Sequence, residues 1–238
     1  MEAKPVSAMK IDLSKYLTQR YQDSLAKQDF EGPVVTIARE YGCPSQKLAA
    51  RLAEKLNLIN SSLSKKIKWR WINKEILYES AKILKLHPSD IEYVFNFEKK
   101  NFFDDILSSQ SSKYYKSDRK IRNTIASVIR NLASEGNVII VGRGGVAITR
   151  EVERSLHVNL EAPIEWRALR LSEKFCMSEK ETRKLATEID KKRKEFRNYF
   201  HGVGTDYTRF DVRYNCMTLS IDDITHSIIS LLQARKFV

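Results

Sequence analysis

Two parts of this sequence have the residue types that bind phosphate: a strand-to-helix loop and a set of arginines. The loop AREYGCPSQKLA, residues 38–49, follows a short apolar run and precedes a helical pattern. In parallel α/β proteins such a loop brings free backbone N–H groups and the positive end of a helix dipole to one point. The loop therefore predicts an anion site formed by Gly42, Cys43, Pro44, Ser45, Gln46 and Lys47.

This loop departs from the GxxxxGK[ST] phosphate motif, whose glycines, lysine and hydroxyl each have a task. Gly42 is its one glycine, and Lys47 stands at a different spacing. Pro44 lacks an N–H donor and has a fixed φ, which harms a cradle made of amides. An ordinary strand-to-helix turn therefore stays open as the alternative.

The helical stretch 165–200 is dense in arginine and supplies further candidates for phosphate chemistry. Guanidinium groups brought over a transferring phosphoryl group offset its charge while water is excluded. Arg193 and Arg197 are four residues apart and so share one face of a helix. The alternative without a ligand is an ordinary charged helix exposed to solvent, because acidic and basic residues are interspersed throughout this stretch.

The segment GRGG at 142–145 follows an apolar run and has three interpretations. With Ala147 and Glu161 it fits a GxGxxA dinucleotide-binding fingerprint. Only a short helix and one later strand fit around it, which is too little for a complete dinucleotide fold. The other two interpretations are a tight turn with a solvated arginine, and Arg143 gripping two phosphate oxygens from the end of a strand.

Composition excludes several classes of protein. The chain has 238 residues, of which 42% are hydrophobic, and a formal charge of +12, which favours polyanionic partners. Membrane spans and a secretory signal are not expected, so the expected compartment is the cytoplasm. Three scattered cysteines and four distant histidines predict neither a disulfide framework nor a metal cluster. The aromatic and lysine-rich stretch 93–116 leaves single-stranded nucleic acid as a less favoured ligand.

Hydrophobic periodicity predicts alternating strands and helices, which is typical of a three-layer α/β domain with a parallel sheet of roughly five strands. We assign residues 1–31 to an N-terminal helical extension and 32–238 to the main domain, with a helical lobe at about 85–117 and a helical lid at about 165–205. The strands are predicted at 33–38, 69–73, 137–141, 155–162 and 212–218. The helices are predicted at 45–59, 73–86, 118–135, 162–175, 178–200 and 220–236.

Several segments in one order resemble the cytidylate kinase-like family, P-loop proteins related to bacterial CMP kinases. The resemblance covers about residues 33–235. It is carried by VVTIAREYGCPSQKLAARLAEKLN, NKEIL, VIIVGRGG, HVNLEAPIEWRALRL, EIDKKRKEFRNYF and FDVRYN.

The resemblance implies a P-loop NTPase-like domain that moves the γ-phosphoryl group of ATP, with Mg²⁺, to a (d)CMP-type acceptor. It implies that the 42–47 loop holds the donor phosphates and that Arg167 and Arg170 neutralise the transition state. The implied acceptor-binding residues are Arg143, Asp190, Arg193 and Arg197, of which Arg143 and Arg193 are also catalytic. The expected partners are ATP and a nucleoside monophosphate, with self-association left open; metal ligands are not predicted.

Substitutions within these segments leave a second function open. The family's GSGGR stands here as GCPSQ at 42–46, so two glycines are replaced by Pro44 and Ser45 and a basic residue by Gln46. Its aspartate in DKEIL is Asn73. A nucleotide-binding protein that has lost catalysis and acts through interactions is therefore the alternative, and a basic nucleic-acid binder is the less favoured third.

Overall fold

The structure is a computed structural model, and it describes residues 33–63, 68–92, 118–201 and 210–238. The predicted N-terminal extension at 1–31 lies outside the described residues. Most of the predicted lobe at 85–117, including its aromatic stretch, and the end of the lid also lie outside them.

One parallel sheet forms the centre of the domain, and its five strands have the order β2-β3-β1-β4-β5. Continuous apolar runs form its inner strands, because a strand covered on both faces has no solvent side. The predicted α/β class with a five-stranded parallel sheet is confirmed. The strands are β1 Val34–Arg39, β2 Arg70–Ile72, β3 Val138–Val141, β4 Ser155–Glu161 and β5 Val212–Asn215.

Helices cover both faces of this sheet. Apolar residues of α1 and α8 share one buried cluster with the sheet, and those of α2 and α4 share the other. The bounds are α1 Ser45–Ser62, α2 Glu75–Leu84, α3 Pro88–Glu92, α4 Asp118–Glu135, α5 Gly145–Ile148, α6 Ile164–Phe175, α7 Glu179–His201 and α8 Ile221–Ala234.

Differences from the predicted elements are confined to their ends and to short helices. The helix α2 ends at Leu84, before the predicted end, because Lys85 adopts a left-handed conformation. Pro88 then begins α3, which fits proline at a first helical position. The strand β5 ends at Asn215. Within the described ranges, no helix combines the length and hydropathy that a membrane span requires.

Candidate active site

A cavity of about 360 Å³ lies at the carboxyl ends of β1 and β3 and is walled by α2 and α7. This is the edge where the loops of parallel α/β sheets bind ligands. Among its described lining residues there is no aspartate or glutamate, so the wall is strongly positive. Its basic side chains are Arg39, Lys74, Arg143, Arg193 and Arg197, and Gln46 lines it from the start of α1.

The sequence candidates Arg143, Arg193, Arg197 and Gln46 meet in this cavity although they are far apart in the chain. Arg143 Nε donates to the Asn73 carbonyl oxygen at 3.4 Å, which joins the end of β3 to the end of β2. Arg193 donates to the Arg39 carbonyl oxygen at 3.2 Å.

The backbone of Arg143 is left-handed, with φ of 55°. This conformation is uncommon for a residue with a side chain and is more frequent at functional sites. The structure therefore holds the arginine at the end of β3 at a conformational cost, between two glycines that are also left-handed: Gly142 and Gly144.

The 42–47 loop is only partly open to an anion. The Cys43 amide donates to the Glu40 carbonyl oxygen, and the Ser45 amide donates to that of Cys43. The amides of Gly42, Gln46 and Lys47 donate to no atom of the described residues. The free donors therefore come from Gly42 and from the first turn of α1.

Two side chains of this loop, those of Cys43 and Lys47, do not line the cavity. Cys43 is buried in the same apolar cluster as Cys216. A hydrogen bond with the Cys216 thiol, together with burial, raises the pKa of Cys43, so the thiol stays protonated. Lys47 is exposed and is absent from the lining of the cavity. The loop thus supplies backbone donors, whereas the cavity takes its positive charge from other segments.

Arg167 lies beneath this loop and not in the cavity. It is 6% exposed, and its guanidinium donates to the carbonyl oxygens of Ala162 and Tyr41 at 2.9 and 3.0 Å. It also pairs with the Asp190 carboxylate at 2.6 Å and with Glu40 at 3.3 Å. These partners engage Nε and Nη1 and satisfy the buried charge.

Asp190 joins the helix α7 to Tyr41, the residue just before the 42–47 loop. One carboxylate oxygen accepts from the Tyr41 amide at 2.7 Å and the other from Arg167. Arg193 lies 3.6 Å from the first oxygen and stacks over the Tyr41 ring at 5.3 Å. Asp190 and Arg193 therefore have different surroundings: Asp190 fixes the helix, and Arg193 reaches the cavity.

Arg170 is exposed and stands apart from both groups. Its guanidinium lies over the Trp166 ring at 4.6 Å, one turn earlier on α6. Neither Arg170 nor Arg167 lines the cavity. The two arginines that the sequence placed in one role thus occupy different environments.

Sequence reasoning missed one residue that lines the cavity, Arg39, and gave no role to a second, Asn73. Arg39 ends β1 and lines the cavity. The sequence signal for it was the apolar run before it, because a residue that ends a buried parallel strand lies at the edge of the sheet where ligands bind. Asn73 is 5% exposed and also lines the cavity, and its side-chain oxygen accepts no hydrogen bond from any described residue. A buried amide oxygen without a donor marks a place where a ligand can add one.

Gly42 gives the first test of the loop. Its φ is 98°, and a Cβ built there would lie 3.1 Å from Cβ of Arg167. Replacing Gly42 with alanine should therefore cost about 1–3 kcal/mol of unfolding free energy, since it imposes backbone strain next to a buried arginine. Urea unfolding measures this cost. A cost below that of Ala50→Ser, an exposed substitution on α1, would contradict the strained loop.

Solved structures of other proteins are similar to this chain. A 21% identical structure, that of an uncharacterized protein from Eubacterium ventriosum ATCC 27560, superposes with a TM-score of 0.57 and covers 85% of this chain and 98% of that one. A shikimate kinase from Bacteroides thetaiotaomicron gives 13% identity, a TM-score of 0.49 and coverage of 84% and 98%. A gluconokinase from Sinorhizobium meliloti 1021 has 14% identity and a TM-score of 0.46, with coverage of 87% of this chain and 94% of that one.

No curated protein matches the sequence. The profile of the cytidylate kinase-like family, in contrast, matches residues 34–217, which include the whole sheet and the helices α6 and α7. This match confirms the resemblance drawn from the separate motifs. The chain belongs to the cytidylate kinase-like family.

Proposed function

We propose that this protein is a nucleoside monophosphate kinase that transfers the γ-phosphoryl group of MgATP to a (d)CMP-type acceptor. Family membership supports a nucleotide kinase-like function. The observation that carries the proposal is the cavity, in which arginines from the end of β3 and from α7 face the start of α1. A phosphorylated acceptor in the cavity would then lie beside a donor held at the α1 end.

The proposed chemistry needs positioning and charge neutralisation, with no covalent intermediate on the protein. Arg143, Arg193 and Arg197 would hold the acceptor phosphate, because a guanidinium fork matches two phosphate oxygens. The amides of Gln46 and Lys47 and the positive end of α1 would hold the donor phosphates. Leu77 and Phe196, which line the cavity, would exclude water from the acceptor.

The lid arginines take different parts in this proposal. The contacts of Arg167 support a positioning role, in which it holds α7 and the 42–47 loop at a fixed distance. Arg170 is exposed, so a part in neutralising the transition state would require α6 to close over bound nucleotide. Lids of this kind close on substrate in many enzymes.

Magnesium would arrive with the nucleotide. No group of three or more His, Cys, Asp or Glu residues is gathered for a metal in the part of the chain that the structure describes. Mg²⁺ in kinases uses one or two carboxylates together with substrate phosphates. Glu40 can supply one such carboxylate, because its Oε1 accepts no hydrogen bond from the described residues. Glu40 would hold the ion, which would neutralise the donor phosphates.

A second candidate is a nucleotide-binding protein without catalysis. The observation that favours it is the loop, where Pro44 offers no amide and those of Cys43 and Ser45 are used internally. Fewer free donors remain than in a loop that wraps two phosphates. Such a protein would bind nucleotide and form no product.

Purified protein incubated with MgATP and each of CMP, dCMP, UMP, AMP and GMP tests the proposal. We expect ADP and a nucleoside diphosphate, fastest with CMP or dCMP, because the family resemblance implies that acceptor. Omission of the acceptor controls for simple ATP hydrolysis. Calorimetry on the same protein separates the candidates: nucleotide binding without product favours the second, and salt-sensitive binding of RNA without nucleotide binding contradicts both.

A further inference from the structure

We propose that the Arg39 guanidinium is the centre of a phosphate-binding site at the carboxyl ends of β1 and β3, completed by Arg143 and Arg193. The inference rests on the proposed function, because the phosphate would be that of the acceptor nucleotide. It assigns to the cavity a residue outside the sequence candidates.

The backbone around Arg39 makes room for its side chain. Arg39 is the last residue of β1, and β3 pairs beside it, with Ile37 opposite Val141. A Cβ built on Gly142 would lie 1.6 Å from Nη1 of Arg39 and 2.9 Å from its Cζ. The guanidinium therefore occupies the volume that any side chain at position 142 would take.

The charge of Arg39 has no hydrogen-bonding or ion-pair partner among the residues that the structure describes. Among the described residues, no carboxylate or carbonyl oxygen accepts a hydrogen bond from this guanidinium. The charged groups that act on it are Arg193, Arg143, Arg197 and Asp190. Burial, then the positive charges of Arg193 and Arg143, lower the pKa of Arg39 well below its ordinary value.

The acidic neighbour does not neutralise this charge. The Asp190 carboxylate is already engaged by the Tyr41 amide and by Arg167. Like charges held together in a partly buried cavity repel, and a bound dianion converts that repulsion into attraction. A phosphate also fits the planar fork of a guanidinium through two hydrogen bonds.

The contrast with Arg167 makes the assignment specific. Arg167 is buried and Arg39 is partly buried, but only Arg167 donates to two carbonyl oxygens and a carboxylate. A structural arginine is paired in this way. Because Arg39 lacks such partners and lines a cavity, its missing partner is a ligand.

The binding of inorganic phosphate tests the site, and the rise in unfolding temperature that phosphate causes measures this binding. Ionic strength is held constant, and chloride is the reference anion. Arg39→Met should weaken phosphate binding by about 10- to 100-fold, the range for losing hydrogen bonds to a charged group. Without ligand, Arg39→Met should unfold at the same temperature as wild type or higher, since it removes a repelling charge. Arg183→Met, which removes an exposed arginine of α7, is the control and should bind phosphate like wild type.

A pair of glycine variants tests the same site without removing the charge. Gly142 and Gly136 have φ of 71° and 72°, so alanine imposes equal backbone strain at both. Only Gly142→Ala displaces the Arg39 guanidinium, and it should weaken phosphate binding at least about tenfold. Gly136→Ala should match the affinity of wild type. These variants decide the question if Arg39→Met does not fold.

The inference is wrong if both Arg39→Met and Gly142→Ala bind phosphate with wild-type affinity. It is also wrong if Arg39→Met unfolds at a lower temperature than wild type and binds phosphate equally well. The kinase assay separates this inference from the proposed function. Phosphate binding that depends on Arg39, in a protein without turnover, contradicts only the kinase. Turnover by Arg39→Met at the wild-type rate contradicts only the Arg39 site.

Discussion

Replacing Arg167 with alanine is expected to lower the unfolding free energy by about 3–5 kcal/mol, the cost of removing one partner from a buried ion pair. The guanidinium is 6% exposed and pairs with Asp190 at 2.6 Å. Its removal takes the nearer of two cations from that carboxylate, with Arg193 remaining at 3.6 Å, and takes one donor from each of the carbonyl oxygens of Tyr41 and Ala162. Urea unfolding at neutral pH measures the loss.

Arg170→Ala is the matched control, because it removes an arginine from the same helix three residues later. Arg170 is exposed and contacts the Trp166 ring, so we expect a change of at most about 1 kcal/mol. Similar losses in the two variants would contradict the structural role of Arg167. A full loss of activity with unchanged stability in Arg167→Ala would return it to the transition-state role that the family resemblance implies.

Replacing Arg143 with asparagine is expected to lower kcat/KM by about 10²- to 10³-fold, the usual effect of losing one donor to a developing charge. The stability should change little, because asparagine tolerates the left-handed backbone that Arg143 adopts, with φ of 55°. This variant removes the guanidinium from the cavity and keeps the turn. Steady-state kinetics with the best acceptor, alongside thermal unfolding, measures both effects.

Lys85→Asn is the control for the backbone. Lys85 has φ of 57° and ends α2 on the exposed surface. This variant should retain wild-type kinetics and stability. Equal kcat/KM in wild type and Arg143→Asn would remove Arg143 from the site. A loss of stability that matches the loss of activity would make its role structural.

The elements of the fold followed from local sequence because burial imposes simple periodicities. The continuous apolar run at 137–141 could only be a covered strand, and the structure has β3 at Val138–Val141. The helix predicted at 118–135 has those bounds in α4. Element ends were less predictable, since a single left-handed residue such as Lys85 stops a helix whose pattern continues.

The candidate site was predictable only in outline. A loop after a buried strand and arginines in a later helix indicated phosphate chemistry, and the cavity brings Gln46, Arg143, Arg193 and Arg197 together. The roles assigned to these residues stay predictions. The sequence could not separate Arg167 from Arg170, because the acceptors that bury Arg167 come from Tyr41, Ala162 and Asp190.

The sequence by itself determined the alternating elements, the family and the positive charge of the chain. Only the tertiary structure decided which arginines are paired, because pairing depends on distances between segments that can lie more than a hundred residues apart, such as those of Arg167 and Tyr41. An arginine is the same letter in the sequence whether its guanidinium lies in solvent, is buried with hydrogen-bond acceptors or is withdrawn from solvent without them. They differ in electrostatic free energy, and that difference separates a structural arginine from one that awaits an anion.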